Sequence, residues 1–135
     1  MKKVMIFGVF DGVHDGHKYF LSEAKKLGDH LTAVVAADKV VEILKGRKPA
    51  RNIAERIAHI ETQDGVDGAI AGDAEMGSWD IVKKFRPDIV AVGYDQKELK
   101  EDMENSLKNF DWSLEIKIIS PHQPEKYHNS IINGD

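Results

Sequence analysis

The sequence predicts a doubly wound α/β domain built on a five-stranded parallel sheet, and three observations carry that expectation. Short, β-branched apolar runs alternate with longer amphipathic stretches along all 135 residues. No linker-like, repetitive or low-complexity segment breaks the alternation, so residues 1–135 are expected to form a single domain. With 41% hydrophobic and 31% charged residues, the chain has enough apolar material for a core and charge too mixed for wholesale disorder. Apolar strands separated by helices imply a parallel sheet covered on both faces. The ligand crevice of such a sheet lies beyond the strand carboxyl ends, where strand order reverses.

Val4-Met5-Ile6-Phe7 reads as the first strand, closed by Gly8. A helix over 17–27 follows, with Phe20, Leu21, Ala24 and Leu27 on one face and Gly28 as its stop. Residues 31–36 form the second strand, and 53–62 a helix with Ile53, Ile57 and Ile60 on its buried side. Ala69-Ile70-Ala71 is a short third strand. The next helix, 78–85, is expected to be capped by Ser78 and to end before Arg86-Pro87. Residues 88–92 make the fourth strand. A charged helix over 99–107 then repeats Leu99, Met103 and Leu107 at four-residue spacing. The last strand, 114–119, alternates apolar and polar residues, as a sheet edge does.

Composition excludes several functions. There is no cysteine, hence no disulfide framework, thiolate metal site or cysteine nucleophile. Nineteen basic against 23 acidic residues give a net charge of -4, which argues against general nucleic-acid binding. No apolar run approaches the roughly 20 residues of a membrane helix, and the start lacks the apolar core of a secretory signal. A soluble, cytoplasmic protein is the expectation.

The loop after the first strand, Gly8-Val9-Phe10-Asp11-Gly12-Val13-His14-Asp15-Gly16-His17, concentrates the chemistry. Its glycines permit tight turns and close approach of a ligand to the backbone. The helix that opens beside it offers N–H groups and a positive dipole end to an anion. Two imidazoles there suit phosphate oxygens and charge that builds up in a transition state. No third ligand at useful spacing supports zinc. The spacing matches neither the dinucleotide-binding glycine pattern nor the phosphate loop with its lysine. Phosphate chemistry is the natural reading.

Gly8-x-Phe10-Asp11-x-x-His14-x-Gly16-His17 resembles the signature of the cytidylyltransferase-like nucleotidyltransferases, with their HxGH motif. The similarity continues through Leu27-Gly28-Asp29 and Ala37-Asp38, covering most of the chain. It implies a Rossmann-like fold and in-line transfer of a nucleoside monophosphate from a triphosphate to a small phosphorylated acceptor, with release of pyrophosphate. By resemblance, His14 and His17 contact the triphosphate, while Gly8, Val9, Phe10 and Gly16 approach the nucleotide through their backbone. Asp11 is expected near the acceptor or as an organiser of the loop. Mg²⁺ is the expected cofactor, held mostly by the nucleotide, with no protein metal site. A homodimer is also implied.

Lys45-Gly46-Arg47-Lys48-Pro49, with Arg51, places four cations in seven positions after the second strand, a clamp suited to phosphates. The resemblance assigns a catalytic lysine here, with Lys48 the best match and Lys45 second. Arg56 matches a family position near the substrate, where it holds the loop or the dimer contact. Gly93 and Asp95 lie in Gly93-Tyr94-Asp95-Gln96, at the carboxyl end of the fourth strand and beside the expected nucleotide. That tetrapeptide is more similar to the FAD-synthase branch than to the glycerol-3-phosphate branch. Relatives carry an arginine and an Ile-Ser-Thr/Ser stretch near the C-terminus. This chain has Lys126-Tyr127-His128-Asn129-Ser130, in which Asn129 and Ser130 take the nucleotide-binding place. Trp79 and Trp112 are expected to pack in the core, and His30, His59 and His122 to lie at the surface.

The leading expectation is transfer of CMP from CTP to an acceptor such as glycerol 3-phosphate. The alternatives are transfer of AMP from ATP to FMN, and a nucleotide-binding module without turnover.

Overall fold

In the computed structural model, which describes residues 1–73 and 78–120, five parallel strands form one sheet in the order β3-β2-β1-β4-β5. The strands are β1 (Lys3–Gly8), β2 (His30–Val35), β3 (Gly68–Ala71), β4 (Ile89–Gly93) and β5 (Glu115–Ile119). Five helices connect them: α1 (Asp15–Lys25), α2 (Asp38–Lys45), α3 (Ile53–Glu61), α4 (Asp80–Phe85) and α5 (Lys97–Ser106). The doubly wound fold and all five predicted strands are present, and β5 takes the edge position that its alternation predicted.

Alternation along each central strand feeds two cores. Val4 and Ile6 of β1, Leu31 and Ala33 of β2, and Ile89 of β4 pack with Leu21 and Ala24 of α1 and Ile60 of α3. Met5, Val34, Val90 and Val92 point the other way, against Val82 of α4 and Met103 of α5. Strands buried on both faces need apolar residues at consecutive positions, which is why they read as continuous runs. Trp79 packs in the second core, edge-on to Phe7. Trp112 stacks on Phe110 and donates its indole N–H to the Pro87 carbonyl, at 2.7 Å.

Four local expectations are corrected. Helix α1 starts at Asp15 rather than His17, because the His14 side chain serves as its cap. Gly28 is not the helix stop. The chain turns at Lys26, and Gly28 is demanded by close approach, since a Cβ there would lie 2.7 Å from the Lys2 carbonyl oxygen. Ser78 does not cap α4, whose N-cap is Trp79 in a left-handed conformation. The Asp73 carboxylate instead accepts from the Ile81 N–H, at 3.1 Å. Helix α2 stands where a connection was expected. It buries Val40 and Val41 and ends on Gly46, which at φ +73° adopts the left-handed turn that glycine tolerates.

A small electrostatic clasp ties α1 to the β2–β3 edge. The Asp67 carboxylate accepts from Lys25 Nζ at 2.6 Å and from the Leu31 N–H at 2.8 Å. Lys25 first, then the Leu31 amide, hold the Asp67 pKa below its ordinary value. A depressed carboxylate stabilises the fold above its unfolded pKa, and that contribution is lost as pH falls through the folded one. The pair is partly solvated, so Asp67→Asn is expected to destabilise by under about 1 kcal/mol at pH 7. The difference should vanish once pH drops well below ~4. Paired thermal melts across pH check this, and a gap that persists in acid contradicts it.

Candidate active site

Strands β1 and β4 are neighbours in the sheet, but the chain leaves them for α1 on one face and α5 on the other. That is the topological switch point, and a cleft of about 780 Å³ opens there. The Gly8–His17 loop forms one side and the Gly93–Gln96 turn the other, with the end of α2 at the rim.

The HxGH segment forms a reciprocal cap. The Gly16 N–H donates to His14 Nδ1 at 3.0 Å, and the His14 N–H donates to His17 Nδ1 at 3.3 Å. The two rings stack with centroids 3.9 Å apart and planes 25° apart. With both Nδ1 atoms accepting, this pattern places the proton of each neutral imidazole on Nε2. Both histidines line the cleft at the N-terminus of α1, so two fixed side-chain donors add to the dipole end of an 11-residue helix.

Glycine is required at two of these positions. A Cβ on Gly8 would lie 2.7 Å from the Phe10 ring, which folds back over the end of β1. Phe10 itself is buried and left-handed, at φ 52°, and its ring meets His17 edge-on. At Gly16 a Cβ would come within 2.9 Å of His14 Cε1. Alanine is the better helix former by up to ~1 kcal/mol, but displacing the His14 cap costs about as much, so Gly16→Ala is expected to leave Tm near wild type. It should also push His14 out of register, lowering kcat about 100-fold. Calorimetry beside steady-state kinetics checks this, and unchanged kcat contradicts it.

Asp11 lines a second, smaller depression with His14 and His17, and Arg56 lies beneath the loop. The Asp11 carboxylate accepts from the N–H groups of Ala50 and Arg51, at 2.7 and 3.1 Å, pinning the basic loop to the first loop. Arg56 is fully buried. Its guanidinium donates to the Val9 carbonyl at 2.9 Å, the Arg51 carbonyl at 3.0 Å and the Asp38 carboxylate at 2.6 Å. It thus joins three segments and lies outside the cleft lining.

Of the cations, Lys45 ends α2 and lines the cleft, whereas Lys48 lies on the exposed loop outside the lining. Gly8, Val9, Phe10, Gly16, Gly93 and Asp95 all line it. Asn129 and Ser130 lie outside the described residues. Among the described residues, no helix is long and apolar enough to cross a membrane.

Several cleft residues escaped the sequence reading. Phe7, Phe20, Trp79, Tyr94 and Leu99 contribute apolar surface to the cleft, which no periodicity separates from ordinary core. Burial, then the Asp95 carboxylate, raise the Tyr94 phenol above its ordinary pKa. On the α5 side the lining carries Lys97 beside Glu98 and Asp102, so its charge is mixed in sign.

The model of the cytidylyltransferase-like family matches residues 5–132. A protein of Aciduliprofundum boonei named FAD synthase is 40% identical over 134 residues, covering 99% of this chain and 85% of its own length. One of the same name from Thermococcus sibiricus is 40% identical over 114 residues, covering 84% and 77%. Among solved structures, one titled lipopolysaccharide core biosynthesis protein, from Thermoplasma volcanium, superposes with a TM-score of 0.83 at 36% identity. That match covers 91% of this chain and 99% of the other. With the family model spanning nearly the whole chain, and the motif that carries it folded at the switch point, the chain belongs to the cytidylyltransferase-like family of nucleotidyltransferases.

Proposed function

We propose that the protein transfers AMP from ATP to FMN, forming FAD and pyrophosphate. The observation that carries nucleotidyl transfer is the stacked His14–His17 pair, with both Nδ1 atoms committed to backbone amides at the N-terminus of α1. An FMN phosphate oxygen attacks the α-phosphorus of ATP in line, and the bond from that phosphorus to the pyrophosphate oxygen breaks. The chain needs no covalent intermediate. It orients the reactants and neutralises charge on oxygens that gain it in the transition state. The Nε2–H groups of His14 and His17 donate to those oxygens, and Lys45 attracts the departing pyrophosphate.

Among the described residues, no three His, Asp or Glu side chains gather into a cage for a metal. Mg²⁺ carried by the nucleotide's own phosphates would supply charge neutralisation at this site.

Two observations favour FMN over the expected glycerol 3-phosphate. The curated relatives are named FAD synthase. Apolar surface in the cleft, to which Phe7, Phe20, Tyr94 and Leu99 contribute, also suits a flat tricyclic ring, and a polyol phosphate would leave it uncovered. The test is mass spectrometry of reactions containing ATP or CTP with FMN or glycerol 3-phosphate. FAD from ATP and FMN is the expected product, whereas CDP-glycerol from CTP would restore the cytidylyl reading.

A further inference from the structure

We infer that Gln96 is a positioning residue, whose side-chain amide replaces one backbone rung between β1 and β4 and so sets the opening of the cleft. Parallel pairing between these strands is recorded only for Val4↔Ile89 and Met5↔Val90, although β1 pairs with β2 along all six of its residues. Continued in that register, the Gly93 N–H would donate directly to the Phe7 carbonyl. Instead, the Gly93 N–H donates to Gln96 Oε1 at 2.8 Å, and Gln96 Nε2 donates to the Phe7 carbonyl at 2.8 Å. An amide has the acceptor and donor of a peptide unit, so it fits into the ladder and holds the strand ends one unit further apart.

The place of this insertion gives it consequence. Phe7 immediately precedes Gly8, where the HxGH loop begins, and Gly93 begins the turn that carries Tyr94 and Asp95 into the cleft. The Gln96 backbone N–H returns to the Gly93 carbonyl at 3.0 Å, so main chain and side chain fix the same turn. A Cβ on Gly93 would lie 2.8 Å from Asp95 Oδ1, so the close turn favours glycine there. Gln96 therefore spaces the imidazole donors from the Gly93–Asp95 turn, and it acts on the reaction through those two loops.

This inference rests on the nucleotidyl-transfer reading for its kinetic consequence, but not for its hydrogen bonds. The test compares wild type, Gln96→Glu and Gln96→Leu between pH 5.5 and 8.5, reading kcat, KM for ATP and exchange of the Gly93 amide. An ionised glutamate still accepts from Gly93 but turns a second acceptor on the Phe7 carbonyl, whereas a protonated one donates and restores the bridge. Gln96→Glu should lose at least tenfold in kcat relative to wild type at pH 8.5, and the gap should narrow as pH falls toward 5.5. Gln96→Leu should be impaired at both, with faster exchange at Gly93. A purely structural role would lower stability without this pH-dependent rescue. A Gln96→Glu profile parallel to wild type, or a Gln96→Leu protein with wild-type kinetics and exchange, overturns the inference. If wild type transfers no nucleotidyl group, the proposed function fails, and Gly93 exchange alone decides on Gln96. Faster exchange in Gln96→Leu, with protection in Gln96→Glu rising as pH falls, supports it, and unchanged exchange overturns it.

Discussion

Replacing His17 with alanine is expected to lower kcat by about 10²–10³-fold, the usual loss when one preorganised donor to a developing negative charge is removed. His14→Ala should do the same, with an additional loss of about 1 kcal/mol in stability because the His14 side chain caps α1. The stacked geometry also predicts that the two losses do not add. Each Nδ1 accepts from a backbone amide that survives removal of the other ring, so the coupling between the two comes from their stacking at 3.9 Å. The double variant should therefore lose less than the product of the two single losses. Steady-state kinetics with thermal melts reads all three, and a kcat within threefold of wild type for either single variant contradicts the assignment.

The largest effect on stability is expected at Arg56. Its guanidinium is fully buried and satisfies two carbonyls and a carboxylate from three separate segments. Gln or Met in its place leaves the Val9 and Arg51 carbonyls without their donor. Asp38 is 42% exposed, so water takes over part of its solvation. The expected cost is thus near the lower end for breaking a buried pair, about 3 kcal/mol. For a domain of this size that is a fall in Tm of roughly 10 °C. Activity of the folded fraction should fall too, because the Val9 carbonyl belongs to the loop that carries His14. A Tm within 2 °C of wild type would falsify this account of Arg56.

The sheet was legible because strands buried on both faces must be apolar at successive positions, and β1, β2 and β4 are. The loop was legible because few arrangements need glycines and two histidines between a strand and a helix. Other features escaped for identifiable reasons. Helix α2 carries charges and lies beside a basic run, so residues 38–45 read as connection, although Val40, Val41 and Leu44 followed by Gly46 were a helical signal with its stop. The start of α1 was misplaced because histidine is not a usual cap residue. Phe10 and Trp79 are left-handed without being glycine, which no local propensity announces. Lys45 rather than Lys48 lines the cleft because α2 carries the chain to the rim before the loop turns away. The role of Gln96 depends on a gap between β1 and β4 that exists only in three dimensions.

The most direct measurement is pyrophosphate release by the purified protein with Mg²⁺ and ATP, with and without FMN, beside CTP with and without glycerol 3-phosphate. The account predicts FMN-dependent release with ATP, matched mole for mole by FAD and abolished in the His14→Ala, His17→Ala double variant. FMN-independent release, no release with either nucleotide, or full activity in the double variant would contradict it.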